Sequence, residues 1–267
     1  MGARLHMEAR LPALILAAVV AMMFTAPAGL AAEGGRAVDV KIILAVDASG
    51  SVGRGEFHLQ IDGIAAALRS PELQAAVRAG PEGRVLAALL IWSDAAYPKY
   101  PTAWHLLETP RGFDDFAREI EAFKQQAPGV PAIGGGGTGI GDALVFALTM
   151  LEREPTPARR LVVDVSGDGP ESEPWVPGAA RLPEARALAR RRGVVVNGLA
   201  IENEHPGLLL WYRENLITGP GSFAMRATDY SDFRRAILKK LLRELSQGPV
   251  AALVRAYESR GDCRRTC

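Results

Sequence analysis

The sequence predicts an α/β fold: a doubly wound, mainly parallel sheet with helices on both faces and one antiparallel edge strand. Three observations predict it. Apolar runs with few polar residues (Val38 to Val46, Arg84 to Trp92, Leu161 to Val165, Val194 to Ile201) have the composition of strands buried on both faces. Segments with apolar residues at helical spacing alternate with these runs, as crossover connections require. Short polar loops follow several runs, among them Asp47-Ala48-Ser49-Gly50-Ser51 and Ser166-Gly167-Asp168-Gly169, at the strand ends where open α/β sheets place their ligands.

Residues 1–32 stand outside that pattern. Arg4, His6 and Arg10 form a basic start, Leu11 to Phe24 is an apolar stretch with one proline, and Thr25 to Ala32 is small and turn-prone, which is the composition of a secretory signal peptide. The apolar stretch is shorter than the roughly 20 residues of a membrane-spanning helix, so cleavage after Ala31 or Ala32 is expected, with a retained N-terminal anchor as the alternative. Cleavage takes away two of the 31 basic residues (Arg4, Arg10) and one of the 30 acidic ones (Glu8), leaving 29 of each. A neutral chain lacks the basic surplus of a domain that holds nucleic acid through phosphates. Residues 33–37 read as a flexible start, 38–247 as one domain, and 248–267 as a polar tail. That tail holds the only two cysteines, Cys263 and Cys267; in an oxidising compartment they form a small disulfide loop, remain free, or link to another chain.

Within the domain each element has its own signal. Phe57, Ile61, Ile64, Ala65 and Leu68 give an amphipathic helix after the first strand. Tyr97 to Leu107 carries two prolines and reads as one short edge strand, because proline cannot donate to a central ladder. Phe113 to Phe123 follows as a helix, and a glycine-rich loop (Gly134 to Gly137, Thr138, Gly139, Gly141) leads into the helix Asp142 to Leu151. Helix Leu182 to Arg192, helix Gly207 to Leu216, strand Ser222 to Ala227 and helix Tyr230 to Leu245 complete the alternation. On the last helix Phe233, Ile237, Leu241 and Leu245 form the core stripe, and Arg234, Arg235, Lys239, Lys240 and Arg243 read as a solvated basic face. Trp92 and Trp104 read as packing residues, whereas Trp175 is either an exposed anchor for a partner or a buried ring.

Asp47, Ser49 and Ser51 in one loop, Thr138 in a second and Asp168 in a third meet at one sheet edge if the first strand and the Leu161 strand are neighbours. Carboxylate, hydroxyl and water oxygens suit Mg²⁺, and Mn²⁺ or Ca²⁺ as substitutes. Asp-x-Ser-x-Ser, a Thr in a second loop and an Asp before Gly in a third resemble the metal-ion-dependent adhesion site of the von Willebrand factor A (vWA) family, and the likeness runs from about Val38 to Leu245. The resemblance implies a Rossmann-like vWA sheet in which Ser49, Ser51 and often Thr138 touch a divalent cation directly and Asp47 and Asp168 act directly or through water. It also implies a binding protein, not an enzyme: a Glu or Asp of a protein ligand completes the coordination. Val165 to Pro170, Asn197 to Ile201 and Gly219 to Phe223 are similar to an exported bacterial subgroup of this family with no assigned function, which places the chain in the periplasm or outside the cell. Glu171 and Glu173 either reach the metal or are solvated loop acids.

Three other readings compete. Gly134-x-Gly136-x-x-Gly139 satisfies the dinucleotide fingerprint, but no strand leads into it, and the glycines are better explained as turns that bring Thr138 inward. Ser51, Asp168 and His205 stand in the chain order of an α/β-hydrolase triad, yet Ser51 lacks the first glycine of a nucleophile elbow, and His205-Pro206 reads as a helix start. A structural or scaffold domain with a vestigial metal site is the third.

Overall fold

A computed structural model describes residues 36–126, 136–172 and 176–246. The proposed signal peptide, Glu173, Trp175, Cys263 and Cys267 lie outside the described residues. The elements run β1 (Val38–Asp47), α1 (Arg54–Leu68), α2 (Pro71–Arg78), β2 (Val85–Trp92), β3 (Tyr100–Pro101), β4 (His105–Leu107), α3 (Pro110–Gln126), α4 (Ile140–Arg153), β5 (Ala158–Gly167), α5 (Leu182–Arg191), β6 (Val194–Ile201), α6 (Leu208–Trp211), a π turn (Tyr212–Leu216), β7 (Ala224–Ala227) and α7 (Phe233–Leu245). The sheet order is β3-β2-β1-β5-β6-β7, with β4 also on β2; the pairs from β2 through β7 are parallel and only β3 and β4 run antiparallel. Chain direction across the sheet reverses between β1 and β5, so the loops after these strands lie side by side at the switch point.

Alternation along β1 separates two cores. Val40, Ile42, Leu44 and Val46 face the side covered by α1, α2, α3 and α7, while Ile43 and Ala45 face α4, α5 and α6. Both faces of β1 are thereby dry, which is why its ten residues are all buried and carry so few polar side chains. Trp92 is fully buried and Trp104 packs against the second core, as their composition suggests.

Three elements differ from expectation. The edge strand is broken into β3 and β4, because Thr102 breaks the ladder: its Oγ1 accepts from Leu89 N (2.9 Å) and its N donates to Leu89 O (2.9 Å). Helix α2 is additional, begun by a Ser70 cap on Leu73 N and Pro71 in its first turn. The helix expected over Gly207 to Leu216 is a single α turn that widens into the π turn at Tyr212.

The basic face of α7 is also not what its spacing suggests. Phe233, Ile237, Leu241 and Leu245 form the core stripe, but Lys240 is completely buried with them. Its ammonium contacts Asp164 of β5 and lies 2.9 Å from Glu244 Oε1, which also accepts from Asn197 Nδ2 at 2.8 Å. Asp164 points to the α7 side of β5, and helical spacing places Lys240 and Glu244 above it, so the three charges were buried as a set. Among the described residues no helix is long and apolar enough to cross a membrane.

Candidate functional site

The first loop is shaped by its own aspartate. Asp47 ends β1 with no exposed surface; its Oδ1 accepts from Ser49 N at 2.7 Å, closing a tight Asx turn, and Val52 N donates to Ser49 O at 3.0 Å. Gln60 of α1 donates to the Asp47 carbonyl at 3.0 Å and ties the turn to the following helix. Ser49 Oγ and Ser51 Oγ are thereby brought to 3.4 Å from each other.

The third loop meets the first directly. Val46 pairs with Ser166 in the sheet, so Asp168 emerges beside the Asp47 turn, and Ser51 Oγ donates to Asp168 Oδ1 at 2.7 Å. Tyr230, just before α7, donates to Asp168 Oδ2 at 3.0 Å.

The second loop is stitched to both. Gly50 N donates to Gly136 O (3.1 Å), Gly137 N to Asp94 Oδ2 (3.1 Å), Gly139 N to Ser93 O (3.2 Å), and Thr138 exchanges backbone-centred bonds with Ser172 (3.0 and 2.9 Å). The glycines are needed for this closeness: Gly136 has φ +77°, and a Cβ there would stand 2.6 Å from the Tyr97 ring. Thr138 is buried with its Oγ1 3.4 Å from the position a Gly169 Cβ would take. Gly134 lies outside the described residues; among those described, α3 is the last element before this loop, and the glycines from Gly136 on serve the turn.

All five residues singled out by sequence therefore lie on three mutually bonded loops at one end of the sheet. Their donor set is carboxylate and hydroxyl oxygen only, which fits a hard divalent cation. Asp47 Oδ2 is buried and makes no hydrogen bond of normal geometry, and a carboxylate oxygen has room for more than one. Among the described residues no group of three His, Cys, Asp or Glu side chains is placed to hold a metal, so a cation here would depend on the hydroxyls. Burial and the neighbouring Asp168 push the Asp47 carboxyl up to about 7, against the turn bond from Ser49. Burial, with Asp47, Asp168 and Asp164 around it, raises the Tyr212 phenol well above its ordinary value.

Glu171 is not the solvated loop acid of the two readings. It is half-buried and its carboxylate accepts from Gly141 N (3.2 Å) at the start of α4, with the Leu182 amide at the start of α5 as a second donor. It joins two helix N-termini, where an acid is favoured, though burial still pushes it up to about 7. The hydrolase order also does not become a triad, because the Ser51 hydroxyl is spent on Asp168 itself and His205 bonds to neither. Tyr230, Ser172 and Gln60 also bond to the three loops, and the sequence pattern does not point to them.

The family model described as "Protein of unknown function (DUF1194)" matches residues 37–249. The chain belongs to the DUF1194 family. No curated protein matches it. Solved structures similar to this DUF1194 chain include a pilus adhesin and a vWF domain of a pilus tip protein. The pilus adhesin SpaC of Lactobacillus rhamnosus GG, in its open conformation, superposes with TM-score 0.55 at 14% identity over 78% of this chain and 30% of that one. The vWF domain of the type V pili tip protein Mfa5 of Porphyromonas gingivalis gives 0.45 at 12% identity, over 80% and 99%. The DUF1194 chain thus spans about a third of the SpaC adhesin, and at these identities the likeness is one of fold.

Proposed function

We propose that this DUF1194 protein is an exported, metal-dependent binding domain of adhesion type. Residues 1–32 are its cleaved leader and 38–247 its domain, acting in the periplasm or outside the cell. Ser49, Ser51, Thr138, Asp47 and Asp168 would hold Mg²⁺, or Mn²⁺ or Ca²⁺ in its place. The cation, when bound, supplies a positive centre able to take a Glu or Asp carboxylate of a protein partner. The observation that carries this reading is the Ser51–Asp168 bond between two loops that the Thr138 loop braces. Burial gives the chain's own groups their part: Asp47 and Asp168 sit in a dry pocket where charge interactions are stronger than in water. The fold shared with pilus adhesins supports the adhesion part.

Capture from an envelope extract tests it. The immobilised mature domain is expected to retain a protein partner with Mg²⁺ present, to release it on chelation, and to lose it in Asp47→Ala. A partner retained equally with chelator would favour the scaffold reading, with a vestigial site.

A further inference from the structure

Two buried polar atoms at the base of the site make no hydrogen bond of normal geometry: Asp47 Oδ2, on a carboxyl that the Asp168 amide also approaches, and the Tyr212 hydroxyl. They converge on Gly167. A Cβ at that position would stand 2.7 Å from Asp47 Oδ2 and 2.9 Å from the Tyr212 hydroxyl, so the missing side chain is what lets both come in. Gly198 on the neighbouring strand makes the same allowance for the ring, since a Cβ there would lie 2.6 Å from Tyr212 Cδ2. The backbone contributes as well: Tyr212 opens the π turn that replaces the end of a helix, a rare geometry that concentrates at functional sites.

Packing alone does not account for this arrangement. Tyr212 is fully buried, and a phenylalanine would fill the same space without burying a hydroxyl. The second carboxylate of the site shows what such a hydroxyl does, because Tyr230 donates to Asp168 Oδ2 at 3.0 Å.

We propose that Tyr212 is the positioning residue of Asp47: the two groups do not bond directly, and one bridging water links the Tyr212 hydroxyl to Asp47 Oδ2, where Tyr230 reaches Asp168 Oδ2 without one. Each carboxylate then has one phenol fixing its rotamer from below. The hydrogen bond stands without any metal; only its consequence for cation affinity rests on the proposed function. Groups that orient a ligating carboxylate from outside the coordination sphere are worth about 10- to 100-fold in metal affinity.

The test uses the full mature chain and two readouts. In chelator-treated protein the ultraviolet resonance Raman difference between wild type and Tyr212→Phe isolates the Tyr212 ring doublet. A doublet of a hydrogen-bond donor that shifts in Asp47→Asn is the expected result, and one unaffected by Asp47→Asn overturns the proposal. The direct difference between wild type and Asp47→Asn, in which all five tyrosines are kept, reads the same change without the Tyr212→Phe variant, so this arm holds even if Tyr212→Phe folds poorly. Calorimetric titration with Mg²⁺ is expected to show about 10- to 100-fold weaker binding for Tyr212→Phe, and equal affinity would overturn the positioning role. If wild type takes up no Mg²⁺, the metal reading fails and the Raman arm alone decides the hydrogen bond.

Discussion

Asp47→Asn is expected to stabilise the metal-free protein at pH 8 by about 2–4 kcal/mol, even though it removes a residue central to the site. The physical reason is the burial of a carboxylate beside the second carboxylate, Asp168. The Asp47 carboxyl is raised from its ordinary 3.8 to about 7 in the folded chain. Between those two pH values the folded protein holds a proton that the unfolded chain has released. Stability is therefore free of this cost below the lower value, declines as pH rises through the window, and bears the full cost above about 7. The neutral amide has no such dependence. Denaturant melts in chelator at pH 4 and pH 8 check this; a variant less stable than wild type at pH 8 would mean that Asp47 is well compensated without a cation.

Lys240→Met is expected to cost about 3–5 kcal/mol, which places it among the most damaging single changes in the domain. Lys240 has no exposed surface and is the cation between Asp164 and Glu244, both buried. Its four-carbon stem lies in the core, with the ammonium 5.3 Å from the Phe223 ring centre. Methionine matches much of that stem but leaves two carboxylates without their counter-ion, and the Glu244 carboxyl is already pushed upward by burial and by Asp164. Equilibrium denaturation at neutral pH measures the loss. A change under about 1 kcal/mol would be that of a solvated surface lysine and would contradict the buried triad. Arg234, exposed on the same helix, is the control expected to be near neutral.

Apolar runs made the strands legible, because β1, β2 and β6 along their length and β5 from Val162 onward are buried, which keeps most of their positions apolar. The site was legible for a different reason. Asp47, Ser49 and Ser51 are local in sequence, and Thr138 and Asp168 follow at strand and helix ends where the topology gathers loops. Their phenolic supports were not legible. Tyr230 meets Asp168 from 62 residues away, and Tyr212 reaches Gly167 only because a helix end widens into a π turn. Lys240 was misread because helical spacing locates a face but does not reveal that a strand beneath it carries Asp164. Glu171 was misread because its partners, the amides of Gly141 and Leu182, are backbone groups with no signature in side-chain pattern.

Isothermal titration of the mature, chelator-stripped protein with Mg²⁺ and Mn²⁺ tests the central claim most directly. Saturable heat in wild type, abolished in a folded Asp47→Ala, Asp168→Ala variant, is the predicted result. No heat in wild type, or the same heat in the variant, would contradict a cation held by Asp47, Ser49, Ser51, Thr138 and Asp168.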